Sequence, residues 1–293
     1  MAKMKVDSTE KKKLSRSAEV WRRYRKSPTA MIGLAIISVI ILGAIFADII
    51  VPYDYGIKQV IPDRLQGPSL KHLFGTDDLG RDLFSRVIHG SRSSLVLGIL
   101  TTAVATLIGG FLGGICAYYG NRVDNIIMRL LDVITSIPST LLSLSIVAAL
   151  GPGIRNLVIA ITVSRVPTFA RVIRSAVLNI VNQEYIEAAK AGGTRNLRIM
   201  LRHVYPNAMS PIIVQCTMSI SQLILQAAGL SFLGMGMQPP APEWGALLNS
   251  ARDFMRTAPH LMLFPGIAIV LAALAFNLVG DGLRDAFDPR LKS

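Results

Sequence analysis

The sequence predicts an all-α integral membrane protein with six transmembrane helices. Three observations carry that prediction. The chain of 293 residues is 51% hydrophobic, and its mean hydropathy of +0.47 is too apolar for most soluble proteins of this size. Several apolar runs approach the ~20 residues a helix needs to cross a bilayer. The basic residues also fall on alternate sides of these runs, as the positive-inside rule requires.

Residues 1–28 form a basic tail with ten Lys and Arg between Lys3 and Lys26, against Asp7, Glu10 and Glu19. That excess places the tail in the cytoplasm. It reads as polar and disordered to about Ala18, followed by the aromatic-basic segment Trp21–Lys26, suited to the headgroup level. The first span covers residues 29–51, from Thr29 to Val51, and stops at Pro52. It is too long and starts too late for a cleaved signal peptide, and no small-residue cleavage site precedes Pro52. Residues 52–92 form an extracytoplasmic segment. The second span runs from about Ser93 to Tyr118 and the third from about Met128 to Leu150. The fourth starts near Ile154 and is interrupted by Arg165 and Pro167. The fifth covers about Ala208 to Phe232 and the sixth about Leu261 to Val279. Residues 93–281 thus make a five-helix core with a long loop at about 168–206, and residues 282–293 a cytoplasmic tail. In this topology the Arg122 loop, the Arg171–Arg202 segment and the C-terminus face the cytoplasm with the tail, so most of the +13 net charge lies there.

Composition excludes several classes. The basic residues flank apolar spans without an aromatic-basic recognition motif, which favours a membrane over nucleic acid. Cys116 and Cys216 lie in different spans and make no disulfide framework. His72, His89, His203 and His260 have no partners at metal-ligand spacing. Gly109-Gly-Phe-Leu-Gly-Gly114 lacks the GK[ST] ending of a phosphate loop, so no cofactor is expected on this chain. The fourth-position stripe Thr101, Ala105, Gly109, Gly113 and Ala117 lets helix backbones approach closely and implies a dense bundle.

The segment His72-Leu-Phe-Gly-Thr-Asp-Asp-Leu-Gly-Arg-Asp-Leu-Phe-Ser-Arg86 lacks the alternating acids of an EF-hand. It reads as a short helix capped by Thr76 or Asp77, lying at the membrane surface on Leu79, Leu83, Phe84 and Val87. Asp78, Arg81, Asp82 and Arg86 can pair at helical spacing. In the third span Asp132 is either a functional intramembrane carboxylate or an ion-pair partner of Arg129 or Arg122. In the fifth, Gln215, Ser219, Gln222 and Gln226 are spaced 4, 3 and 4 and share one face. Such a stripe must face protein or water. It either hydrogen-bonds neighbouring helices or lines a hydrated path. The segment Gly234–Gly245, rich in glycine and proline, is an ordered external turn with Trp244 at the interface.

Between Pro167 and Pro206 the pattern is helical, amphipathic and too polar to span, with Val172, Ala176 and Ile180 on one face. Glu184-Tyr-Ile-Glu-Ala-Ala-Lys190 suits a short helix ended by Gly192 and Gly193, with a turn of positive φ at Gly193. A second helix from about Thr194 to His203 leads toward Pro206. Glu187-Ala188-Ala189, with Gly193 and Pro206 in phase, resembles the EAA loop of ATP-binding-cassette importer permeases. The motif before the second span and the turn after the fifth resemble the second permease subunit of the dipeptide/oligopeptide importers in particular. The resemblance covers nearly all of the chain from Trp21 onward. It departs from the family at His203 and Tyr205, where Ile and Leu are usual, which bears on the packing of the second helix.

The resemblance implies the type I ABC importer permease fold and a transport path rather than an enzyme. It implies that Glu184, Glu187, Ala188, Ala189 and Gly193 contact an ATPase groove and that Pro206 opens the fifth span. The partners implied are a homologous second permease, two ATP-binding subunits that hold ATP and Mg, and an extracytoplasmic solute-binding protein. Family members carry dipeptides, oligopeptides, glutathione or nickel complexes. The absence of His or Cys clusters in the spans disfavours bare metal ions. An ATP-independent channel or secondary transporter would need no EAA loop, and a membrane-embedded enzyme would need paired catalytic groups that Asp48 and Asp132 do not provide.

Overall fold

The computed structural model describes residues 16–288. The basic run Lys3–Lys13 and the end of the chain from Pro289 lie outside the described residues. Within them the protein is helical, with one isolated β-bridge between Thr76 and Asp82.

Helix α1 (Arg16–Tyr24) begins within the stretch expected to be disordered. Trp21 stacks on Tyr24 with ring centroids 5.8 Å apart. The buried Tyr24 hydroxyl donates to the Ala30 carbonyl at 3.1 Å. Helix α2 (Pro28–Ile45) starts with Ser27 as N-cap and Pro28 in its first turn, a position where proline loses no helical bond. It ends earlier than the sequence suggested. Arg92 donates to the carbonyls of Ala44 and Ile45 and pairs with Asp48 at 2.8 Å, satisfying the end of α2 from outside. The chain then turns through α3 (Ala47–Ile50) and α4 (Tyr53–Ile57).

The external motif is a folded clasp and not a separate surface helix. Asp77 accepts from the backbone of Leu79 and Arg81 at 3.0 and 2.9 Å and pairs with the Arg81 side chain at 2.7 Å. The Arg86 guanidinium donates to the Gly56 carbonyl at 2.8 Å. Gly80 has φ +74°, and a Cβ there would fall 1.9 Å from the Val60 carbonyl oxygen, so only glycine fits. Asp82, not Thr76 or Asp77, is the cap: it accepts from Ser85 N at 2.8 Å and faces His72 Nδ1 at 2.9 Å. From it α5 (Leu83–Tyr119) runs unbroken for 37 residues, about 55 Å at the helical rise. The motif and the second span are thus one helix.

The third span is broken. Helices α6 (Asn121–Thr135) and α7 (Ser139–Leu150) meet at an 80° bend, because Pro138 offers no N–H and pushes Ile137 out of the helical region. The fourth is not. Helix α8 (Ile154–Val181) passes through Pro167 without ending. Its inward face carries Ile173, Val177 and Val181, one residue out of phase with the face expected from the pattern. Helix α9 (Glu184–Ala191) and α10 (Asn196–Ile199) follow. A π-turn at Met200–Val204 joins α10 directly to α11 (Tyr205–Phe232), giving one continuous helical path. Pro206 therefore sits inside a helix already under way.

After α11 the chain forms α12 (Trp244–Ala251) and α13 (His260–Phe287). Trp244 is not interfacial. It is 2% exposed and donates from Nε1 to the Val87 carbonyl at 2.9 Å. The start of the tail expected at residues 282–293 is instead the last part of α13, which runs to Phe287. Among the described residues, five helices are long and apolar enough to span a membrane, and the bent pair α6–α7 brings the total to six if it counts as one span.

The most extensive contact is between α5 and α8. A Cβ at Gly113 would lie 2.2 Å from the Ala170 carbonyl oxygen, and one at Gly109 would lie 2.7 Å from Phe169 Cβ. The small-residue stripe is therefore an interface with backbone on its far side. At the opposite end of the bundle Glu243, 1% exposed, caps α12. It accepts from Gly245 N at 2.8 Å, Ala246 N at 3.0 Å and Ser94 Oγ at 3.2 Å. Burial pushes its carboxyl above the ordinary carboxylate range against these hydrogen bonds.

Two stability predictions follow from these contacts. Gly113→Ala should cost about 1–3 kcal/mol through overpacking, whereas Gly43→Ala, with open space around it, should leave thermal unfolding of the purified protein unchanged. Glu243→Ala should cost about 2 kcal/mol by stripping a buried cap. The folded chain holds the Glu243 proton more tightly than the unfolded chain, so wild-type stability relative to this variant should rise as pH falls through the raised pKa and decline as pH rises through it. Unfolding scans of both proteins over a pH series check the sign.

Candidate functional site

Two features stand out, one at the end of the bundle that carries α9 and one inside it. Helix α9 hangs on few contacts. Ile186 is fully buried against the cluster of Val177, Val181, Ile199 and Val204, and Ala189 is half-buried. Glu184, Tyr185, Glu187, Ala188 and Gly193 are exposed. Glu184 and Glu187 lie in the first turn, where the helix dipole favours acids.

The helix ends in a Schellman motif. Thr194 N donates to Ala189 O at 3.1 Å and Gly193 N to Lys190 O at 3.0 Å, with Gly193 at φ +74°. That is the 6→1 and 5→2 pair with a left-handed residue between. No atom lies within 4 Å of a Cβ built on Gly193, so glycine is needed there for its backbone alone. The structure thus gathers Glu184, Glu187, Ala188, Ala189 and Gly193 into one exposed knob. Pro206 lies apart from it, lining an apolar groove of about 480 Å³ with Trp21, Tyr24 and Leu283.

Several residues that support the knob were not singled out from the sequence. The Tyr118 hydroxyl donates to Asn196 Oδ1 at 2.8 Å, and Lys190 Nζ lies 5.1 Å from the centroid of the Tyr118 ring, a cation–π contact. Both tie the turn to the end of α5. Arg174 forks onto Asp124, with Nε at 2.6 Å from Oδ1. Asp132 pairs with Arg171 at 3.1 Å, not with Arg129 or Arg122, and both groups are exposed. The Arg171 and Arg174 pairings were invisible because the sequence ended the fourth span at Pro167. The departure at Tyr205 also has a reason: its hydroxyl donates to the Gly110 carbonyl at 3.0 Å, and a Cβ on Gly114 would strike it at 2.0 Å.

The polar stripe of α11 divides into three parts. Gln215 Nε2 donates to the buried Ser219 Oγ at 3.0 Å, and Gln215 lines a cleft of about 580 Å³ with Val172, Met218 and Arg284. Gln222 is exposed and has no hydrogen-bond partner among the described residues. Gln226 is buried between helices. It accepts from Arg165 Nε and Nη2 at 2.9 and 2.6 Å and donates to Ser143 Oγ at 3.2 Å. Gln226 therefore bonds neighbouring helices together, as one of the two sequence readings expected, while Gln222 is exposed.

The chain is thus a bundle of membrane-length apolar helices with an exposed, capped short helix at one end, an architecture that fits a multi-pass membrane protein, and the comparisons with known proteins supply its class. Residues 105–293 match the model of the binding-protein-dependent transport system inner membrane component, and residues 15–68 match the N-terminal TM domain of oligopeptide transport permease C. The chain belongs to the binding-protein-dependent transport system inner membrane component family. It is 47% identical to the dipeptide transport system permease protein DppC of Alkalihalophilus pseudofirmus, over 94% of this chain and 90% of the relative. It is 46% identical to the glutathione transport system permease protein GsiD of an Escherichia coli O6:K15:H31 strain, over the same shares. An inward-facing structure of the MetNI methionine ABC transporter matches with a TM-score of 0.56 at 18% identity, covering 70% of this chain and 98% of that one. An amino acid ABC transporter structure matches with a TM-score of 0.52 at 20% identity, covering 71% and 95%. The fold is that of type I ABC importer permeases, and the chain is a multi-pass inner membrane transport protein, not itself an enzyme.

If the Schellman turn sets the pose of α9, Gly193→Val should distort it, because a β-branched residue at positive φ costs about 1–2 kcal/mol. Cysteine cross-linking between α9 and the end of α5 should then fall, while Gly193→Asn, which tolerates the left-handed region, should keep most of it.

Proposed function

We propose that this chain is one of two related transmembrane subunits of an ATP-driven importer that moves di- and oligopeptides inward. The observation that carries the reading is the near-full-length similarity to a dipeptide permease at 47% identity, together with an α9 knob that is exposed and rigidly capped. In this reading the knob faces the cytoplasm with both termini. It seats in a groove of an ATP-binding subunit, where Ala188 and Ala189 allow close approach. Two such subunits hold ATP and Mg and perform the hydrolysis, and this chain holds no cofactor. An extracytoplasmic solute-binding protein delivers substrate to the opposite end.

Transport alternates access. Nucleotide binds one arrangement of the ATPases more tightly than the other, and that difference is the energy available to rock the bundles. Tripeptide thiol cargo is the second reading, favoured by the 46% identity to a glutathione permease. Uptake of dialanine and of glutathione by the complete reconstituted importer, each with ATP present or withheld, tests both readings. ATP-dependent accumulation of dialanine supports the first. Accumulation of glutathione alone supports the second, and accumulation of either without ATP contradicts the whole mechanism.

The open Gln222 side chain belongs to the path in this proposal. Gln222→Leu should lower uptake several-fold while the complex assembles normally by size exclusion; unchanged uptake would remove Gln222 from the path.

A further inference from the structure

The middle of α8 carries a charge without a carboxylate beside it. Arg165 lies about 16 Å along the helix from Ile154 at the helical rise, inside a candidate membrane span. Arg171 and Arg174 on the same helix each face an aspartate. Arg165 has no carboxylate partner among the described residues. Its Nε and Nη2 both donate to the single neutral oxygen of Gln226.

That pose is enforced from behind. Gln226 Nε2 donates to Ser143 Oγ at 3.2 Å, and Ser143 Oγ reaches Ser164 Oγ at 2.9 Å and the Ser139 carbonyl at 2.8 Å. Residues on α7, α8 and α11 thus cooperate to aim one guanidinium. A structural cross-link to Gln226 needs only a neutral donor. A full charge within a span is costly, and where it occurs it marks a pathway or a partner.

The surroundings indicate what the charge faces. Val172, two turns along α8 on the same face, lines the cleft that Gln215 and Met218 line from α11. Gln222 lies between Gln215 and Gln226 on that stripe and is open. The Arg165–Gln226 pair therefore lies past this cleft along α8 and α11, about one helical turn beyond the open Gln222.

We propose that Arg165 is the anion-recognition point of the translocation path, where its guanidinium receives a substrate carboxylate in transit. The proposal rests on the peptide-import reading and adds to it a specific contact. A guanidinium meets a carboxylate through paired N–H donors, and among the described residues Nη1 has no hydrogen-bond partner to give up. Gln226 Oε1 is the resident acceptor, displaced when the carboxylate arrives and restored when it leaves. This exchange of a neutral for a charged acceptor keeps the arginine solvated by protein at all times. It also limits how tightly the substrate is held.

The test uses the complete importer with its binding protein in proteoliposomes, with dialanine and glutathione as probes and uptake normalised to assembled complex. Arg165→Gln keeps a polar group beside Gln226 and removes the charge; Arg165→Lys keeps the charge. We expect uptake to fall at least ten-fold in Arg165→Gln and to recover to a third or more of wild type in Arg165→Lys. A purely structural role would not follow the sign of the charge. The double variant Arg165→Met with Gln226→Leu replaces both partners by apolar groups of similar shape, which spares folding, and should assemble yet fail to transport. Uptake within two-fold of wild type in Arg165→Gln or in the double variant would overturn the proposal, as would a lysine variant no better than the glutamine variant. Failure of the wild-type complex to accumulate either probe would instead overturn the peptide-import reading, so the two failures are separable.

Discussion

Helices in a bilayer gain little by covering apolar surface that lipid would cover equally well, so the bundle depends on how closely backbones can approach. The contact of α5 with α8 at Gly109 and Gly113 is the place where that constraint is tightest, with the Ala170 carbonyl occupying the space a side chain would need. The same device recurs where Gly33 meets Leu278 and where Gly282 meets Ala30. These contacts set helix spacing around α13 and α5, and the larger apolar side chains then fill what remains. Leu107 and Phe111, exposed on α5, are what such a chain presents to lipid or to a neighbouring subunit.

Given that frame, the treatment of polar backbone explains the departures from regularity. Pro138 breaks the third span and Pro167 does not break the fourth. The difference lies in their neighbours. Pro167 is buried and flanked by Val166 and Ala170, whose backbones pack against Gly109 and Gly113 of α5, and that packing holds the helix on course. Pro138 lies among exposed residues between an amphipathic helix and an apolar one, so nothing opposes the turn. Pro206 is a third case. The π-turn at Met200–Val204 absorbs the missing donor just before it, and the path from α10 into α11 stays continuous.

Much of this was legible in the sequence. Apolar run length and charge placement gave the spans. Glu187, Ala188, Ala189 and Gly193 fell in the exposed capped turn, because a positive φ after a short helix leaves a glycine that can be read directly. What could not be read was longer in range. Trp244 was placed at the interface by its type, yet Val87 and Ser94 close over its surroundings from a distant helix. For Asp132 the sequence offers a functional role or a pairing with Arg129 or Arg122, because the partner it has, Arg171, becomes adjacent only once α8 runs past Pro167. The stripe on α11 was visible as spacing, but its division into Gln215–Ser219, Gln222 and Gln226 required knowing where α8 sits.

The proposed coupling between the two ends of the path follows from that continuity. Helix α9 is held to the bundle chiefly through Ile186, and Ile199 and Val204 share its cluster at the start of the α10–α11 path. In the proposed mechanism, a push on the knob loads the same helix that carries Gln215, Gln222 and Gln226. A helix is stiff along its axis, so a shift at Ile199 reaches Gln226 rather than dissipating in a loop. At Gln226 the helix is bonded to Arg165 and Ser143, and hydrogen bonds of this kind are made or broken over displacements of about an ångström. Moving α11 against α8 therefore has to disturb this polar cross-link as well as the apolar packing around it. In the proposed mechanism, a substrate carboxylate that replaces Gln226 at Arg165 releases α11 from this cross-link and so ties the state of the path to the position of the knob.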